Sequence, residues 1–338
     1  PYLSAEHSNL LGNNYGHMTK SVAYFLLARL ALNAEVYSDD DWTDKLKQDG
    51  TKIYFQVGGQ SLNAWQTTVA YCDSLTEIGY SLEKNYVDNF VVSNEHSREN
   101  IFTIPMDKTL YAIVFKNLFR TLHYVHGSAL GRGAENGSSA TLSTLSTFGY
   151  RTPHQDPRFE FNFFADTVKV DDKVVMINKT TPLVYQPLSI KMQLTGAKYE
   201  KTAGARMKKY EIDRTAYDDG KLQNNDIVLY RYADALLMQS EAMIRQGRNG
   251  DVPLNMVRAR VGLSPLRNAT LTDVLKERML ELVWEGTRRQ DLIRFHLFHL
   301  PYEERPQLAK EINAYTTVFP IPLRTLQMNW LLHQNPGY

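Results

Sequence analysis

Apolar residues recur every three or four positions in several stretches, the period of a helix with one buried face. In the first stretch Tyr24, Leu27, Leu30 and Ala34 follow this spacing, which predicts a helix with those residues inward. A polar segment from Ser38 to Gly59 interrupts it. A second helix is predicted from Leu62 to Ile78, with Trp65, Val69, Cys72 and Leu75 on one face and Gly79 as its stop. Far along the chain the period returns. Asp226 is placed to cap a helix carrying Tyr230, Ala233, Leu237, Ser240 and Ile244, with Leu229, Leu236 and Met243 as a second stripe. A helix apolar on two sides is sandwiched between neighbours. Asp251 and Pro253 open the next helix, with Leu254, Val257 and Val261 inward and Gly262 as its end. Two more are predicted, Thr270 to Trp284 and Gly286 to Phe298.

Between these blocks the pattern changes. Glycines and prolines multiply, and Val168–Val170 and Val174–Ile177 flank Asp171-Asp172, a hairpin signal. The chain divides into a helical repeat segment at 1–80, a loop-rich region with short strands at 81–225, and a second helical repeat segment with a tail at 226–338, expected to form one compact domain overall. Helix pairs arise at 17–78 and at 227–262. The second pair, of roughly 36 residues, is close to one tetratricopeptide unit. The expected fold is therefore mostly α, tetratricopeptide-like helix pairs with a large loop-rich region containing short β-hairpins.

Composition narrows the function. The chain has 338 residues, 43% hydrophobic, enough for a substantial core. Its 38 basic and 37 acidic residues nearly cancel, which argues against a nucleic-acid partner. A single cysteine excludes both an intramolecular disulfide framework and a multi-cysteine zinc site. No apolar run reaches the roughly 20 residues that span a bilayer. There is no G-x-S-x-G and no H-E-x-x-H. His123 and His126 have helical metal-ligand spacing but no carboxylate set beside them, and no metal or cofactor is expected. Asp39-Asp40-Asp41 reads as a solvated turn. Glu277, Glu281, Glu285 and Asp291 invite a glycosidase reading. Arg278, Arg288, Arg289 and Arg294 at spacing three or four turn that into an ion-pair network, and pairing lowers a carboxylate pKa, the wrong direction for a general acid.

Several segments together carry a resemblance. Arg231-Tyr232-Ala233-Asp234, Leu236-Leu237-Met238 and Glu241-Ala242 form one. Asn255-x-Val257-Arg258-Ala259-Arg260-Val261-Gly262-Leu263 and Glu277-Arg278-x-x-Glu281-Leu282-x-x-Glu285-Gly286-x-Arg288-x-x-Asp291-Leu292-x-Arg294 follow. Phe319-Pro320-Ile321-Pro322 and Gln334–Tyr338 close the series. In this order they resemble the SusD/RagB family of outer-membrane nutrient-binding lipoproteins. Shorter matches lie upstream at Gly16-x-x-Thr19-Lys20, Glu99-Asn100-Ile101-Phe102 and Asp156-Pro157-Arg158.

The resemblance implies a cell-surface receptor of a Gram-negative outer membrane. Such a receptor captures glycan and delivers it to a SusC-like TonB-dependent transporter, without chemistry. It further implies an amino-terminal region with a lipid anchor, which this chain is expected to lack; Cys72, mid-helix, is not that anchor. The alternatives are a scaffold for a protein or peptide and a helical glycosidase.

Sugar rings stack on aromatic faces, and their hydroxyls take bidentate polar partners. The stretch from Tyr111 to Asn136 supplies both, and Leu122-His123-Tyr124 is similar to a segment of the family's starch-binding members. The expected contact residues are Tyr111, Arg120, His123, Tyr124, Arg132, Glu135 and Asn136, with Trp42 in its separate polar segment. Glu135 stands where the starch-binding pattern has a tryptophan, a departure that points away from starch. Phe115, Phe119, Trp65 and Trp284 are expected in the core.

Overall fold

The computed structural model describes residues 2–110, 120–216, 223–302, 306 and 308–338. Its main scaffold is helical. Helix α1 (Lys20–Leu32) packs on α2 (Ala64–Ile78), and α2 packs on a long helix at Tyr232–Arg245. Within the loop-rich region lie the short α3 (Tyr124–Ala129) and α4 (Leu142–Thr147). The long helix is α5; it also packs against α6 (Asp251–Arg260) and α7 (Leu271–Glu281), and α8 (Arg288–Arg294) follows.

Local chemistry explains the helix ends. The Asn63 side chain accepts from Gln66 N while the Gln66 side chain accepts from Asn63 N, a capping box that opens α2. Gly79 closes it at φ 106°, a left-handed conformation that favours glycine. Thr270 and Asp273 form the same reciprocal cap on α7.

Helix α1 follows the periodicity argument only in part: Ala34, just past its end, is buried and Tyr24 packs against the core, but Leu27 and Leu30 do not face inward. Its buried residues are Val22, Phe25, Ala28, Ala31 and Leu32, while Leu27 and Leu30 are exposed. The helix is apolar all round, so spacing alone does not choose a face; packing on α2 and α5 does. Helix α5 is buried on both sides, as its two stripes predict.

The second correction lies just before α5. Asp226 does not cap a helix. Residues Ile227–Arg231 form a strand that pairs antiparallel with Asn100–Ile104, and α5 begins only at Tyr232. The buried Asp226 carboxylate instead accepts from Tyr15 Oη, Thr103 Oγ1 and Met106 N. Its bonds tie that ladder to the amino-terminal segment.

Two tight hairpins decorate the scaffold. Tyr54–Val57 pairs with Gln60–Asn63 around Gly58-Gly59, a hairpin that runs from the polar interruption into the first residues of the helix predicted from Leu62, which begins at Ala64. Lys169–Val170 pairs with Lys173–Val174 across Asp171-Asp172, at φ 49° and 62°. Two positive φ values in a two-residue loop are the signature of a type I′ turn.

The core joins Phe25, Trp65, Leu75, Leu237 and Val257, all buried, across α1, α2, α5 and α6. A second core, centred on Phe148, Phe159 and Phe163, underlies the loop-rich region.

The interior also holds a buried lattice of ion pairs. The Arg231 guanidinium, fully buried, reaches Glu99 at 2.7 Å, Glu281 at 2.6 Å and Glu285 at 2.7 Å. Arg158, equally buried, pairs with Asp156 at 2.8 Å and Glu281 at 2.9 Å. Arg260 pairs with Glu99 at 2.6 Å and also with Glu281. A second line alternates in sign through the helices: Arg29, Asp234, Arg278, Asp291, Arg294, Glu241 and Arg245, at distances of 2.5–2.9 Å. The carboxylates are thus in a structural network, but most of their partners come from distant segments. Of the neighbours expected on the same stretch, Arg278 and Arg294 take part. Among the described residues Arg288 and Arg289 are in no ion pair.

Candidate functional site

The loop around Tyr124 is built on a clamp. Asn136 N donates to Leu122 O at 2.9 Å, and Gly137 N donates to Arg120 O at 2.5 Å. Residues 120–122 are thereby held against 136–137, and the intervening chain folds over α3. Asn136 occupies the left-handed region at φ 53°, which asparagine tolerates. Arg206 fastens the base by donating to Thr121 O at 3.1 Å and Ala203 O at 3.0 Å.

Gly127 lets the loop close. A Cβ there would lie 2.7 Å from Ala134 Cβ and 2.8 Å from Arg132 O. Gly127→Ala should therefore displace the 131–135 turn and destabilise the fold by about 1–3 kcal/mol. Urea unfolding checks this; a midpoint equal to that of the parent chain would show that the turn moves freely.

The clamp brings part of the expected set together. Tyr124, 51% exposed, stands on the first turn of α3. Arg120 and Glu135 face each other as an exposed ion pair at 3.2 Å, and the partly buried Asn136 follows. An exposed pair of this kind is weakly held and free to exchange partners.

Other residues are placed differently. His123 is buried; its Nδ1 accepts from Val125 N at 3.2 Å, capping α3, and its backbone N donates to Tyr185 Oη. Burial, with Arg206 and Lys201 nearby, lowers its pKa. His126 shares the same Tyr185 hydroxyl at 3.1 Å, and burial pushes it down to about 4, a neutral imidazole in the core. Arg132 is likewise buried. These three support the loop from beneath. Trp42 is half-buried against His296, with ring centroids 5.3 Å apart. Tyr111, Phe115 and Phe119 lie outside the described residues. Trp65 is core, whereas Trp284 is partly buried with Nε1 donating to Asn162 O.

A neighbouring concavity of about 470 Å³ was not legible in the sequence. It lies between α3, through Val125 and Ser128, and the 169–174 hairpin, through Val170 and Lys173. The Asp171-Asp172 turn was its one available signal.

The fold is one of helix pairs bearing a loop-built surface that presents Tyr124 and the Arg120–Glu135 pair. The SusD family model matches residues 56–338, and the chain belongs to that family. It is similar to the starch-binding protein SusD of Bacteroides thetaiotaomicron, 21% identical over 96% of this chain and 61% of that protein. Among solved structures, surface glycan-binding protein A of Bacteroides uniformis superposes with TM-score 0.67 at 20% identity, over 99% of this chain and 65% of that one. Surface glycan-binding protein A of B. thetaiotaomicron in complex with laminarihexaose gives 0.63 at 20% identity, over 98% and 67%. The chain thus spans about 61% of the length of the curated relative it matches. These relatives are named as binding proteins, not enzymes. Among the described residues no helix is long and apolar enough to cross a membrane.

Proposed function

We propose that this chain is the glycan-capturing part of a surface receptor of the outer membrane. It binds an oligosaccharide through Tyr124, Arg120, Glu135 and Asn136 and passes it to a SusC-like TonB-dependent transporter. A lipid anchor holds the receptor to the membrane. Tyr111 and Trp42 remain part of the proposed surface, and His123 and Arg132 hold its shape.

The exposed Tyr124 ring on a clamped loop carries the reading. An aromatic face positioned by a rigid base stacks on the C–H face of a sugar without ordering cost, and the exchangeable Arg120–Glu135 pair offers hydroxyl partners. The names of the relatives, for starch and laminarihexaose, support the ligand class. A binding role without catalysis is supported by the acidic cluster. Burial raises the Glu281 pKa, and Arg260, Arg231 and Arg158 together outweigh it, leaving the carboxyl far below the usual range. That is unsuited to a general acid.

Isothermal titration against laminari-, malto- and xylo-oligosaccharides tests the proposal. At least one is expected to bind, and Tyr124→Ala should weaken it about tenfold or more, the loss of one stacking platform. Equal binding by the variant would remove Tyr124 from the site. No glycan bound at millimolar concentration would favour the protein-binding scaffold.

A further inference from the structure

A second cavity lies away from the Tyr124 loop and shares no residue with it. It measures about 690 Å³, within the range of small-molecule pockets. Its walls come from α4, the end of α7, α8 and the segment after α8. Leu282, Leu292, Leu297 and Phe298 make most of the body apolar.

The polar groups are unlike those of a sugar site. Among the described residues the lining contains hydroxyls and arginines, but no Asp, Glu, Asn or Gln. Sugar hydroxyls need acceptors as well as donors, and carboxylates and amides are their usual bidentate partners. The arginines are not equivalent. Arg278 is neutralised by Asp234 at 2.6 Å and Asp291 at 2.9 Å. Arg289 lies over Phe298 and Phe319 and donates to Thr317 O. Arg288 is half-buried, donates once, to Leu275 O at 3.2 Å, and among the described residues has no carboxylate within ion-pair distance. A guanidinium has five N–H donors, and its strongest complement is a bidentate carboxylate.

We propose that this cavity is a second ligand site, for an amphipathic carboxylic acid whose apolar body fills the pocket and whose carboxylate meets Arg288. Burial lowers the Arg288 pKa and Asp291 only partly offsets it, so an incoming anion relieves an unfavourable charge. Asp291 itself is already held by Arg278 and Arg294.

Titration of the unmodified chain with octanoate and octanol, and with cinnamate and cinnamyl alcohol, tests this without relying on a variant. At least one acid should bind tenfold or more tightly than its alcohol. Octanoate binding alone would identify an alkyl body, and cinnamate alone an aromatic one. Arg288→Met, which keeps an apolar stem, should erase the difference between acid and alcohol. Leu297→Trp, which fills the pocket, should abolish binding of both. The proposal is overturned if neither acid binds, or if each acid and its alcohol bind alike.

Discussion

Glu281→Ala should destabilise the fold by about 3–5 kcal/mol, the loss typical of removing one partner from a buried ion pair. Glu281 is fully buried and touches Arg158, Arg231 and Arg260. Arg158 and Arg231 are themselves fully buried. The truncation would leave three guanidiniums in a low-dielectric interior with one counter-charge fewer, and add a cavity. Hydration cannot compensate without opening the core. The segments concerned are far apart in sequence, so loosening should spread from α7 to α6, to the Asp156-Pro157-Arg158 turn and to the 227–231 strand. Urea unfolding at neutral pH measures the loss, with Glu281→Gln as the variant that keeps shape and removes charge. Gln should also be strongly destabilising. If Glu281→Gln unfolds at the same midpoint as the parent chain, the charge is dispensable and the lattice is held by packing alone.

This lattice shows what a sequence can and cannot display. Residues of the family segments, Glu99, Arg158, Arg231, Asp234, Glu241, Arg260 and Glu281, turn out to be its members, as does Glu277, which pairs with Arg158 and Arg258. Only Glu277 and Glu281 of these were legible as ion-pairing from the arginines spaced along their own segment; the others were read as family segments without that role. The distant partners were not legible, because local spacing finds only neighbours one turn away. Arg231 meets Glu281 across 50 positions, and Arg260 meets Glu99 across 161. The same limit explains the strand at 227–231. Ile227, Val228, Leu229 and Tyr230 form a short apolar run, and such a run fits a helix or a strand equally. Its pairing partner lies some 120 residues earlier and decides the matter. Features closed within a few residues were readable: the Asp171-Asp172 turn, the Gly79 stop, the Gly262 stop. The candidate site falls between these cases. The aromatic and polar content near Tyr124 was visible, but the clamp that exposes Tyr124 while burying His123 and Arg132 depends on Tyr185 and Arg206.

The second large effect is a loss of stability in acid. Burial raises the Asp234 carboxyl, but Arg278 and Arg29 outweigh it and leave the group at about 2, against an ordinary 3.8. Burial likewise raises Glu241, and Arg294 and Arg245 bring it down to about 2 from 4.5. Between those values the unfolded chain binds protons that the folded chain refuses, so stability rises with pH in that window. It is fully present above about pH 4.5 and is lost as pH falls towards 2. At 1.36 kcal/mol per pKa unit, Asp234 contributes about 2 kcal/mol and Glu241 about 3 kcal/mol. Their pairs share Arg278, so the two contributions overlap rather than add fully. The expected result is a urea midpoint that is level from pH 7 to about 5 and then falls steeply. Glu241→Gln should lower the plateau and flatten the fall, since the glutamine has no proton to take up. A parent chain whose midpoint stayed level down to pH 2.5 would mean that these carboxylates are not ion-paired in solution.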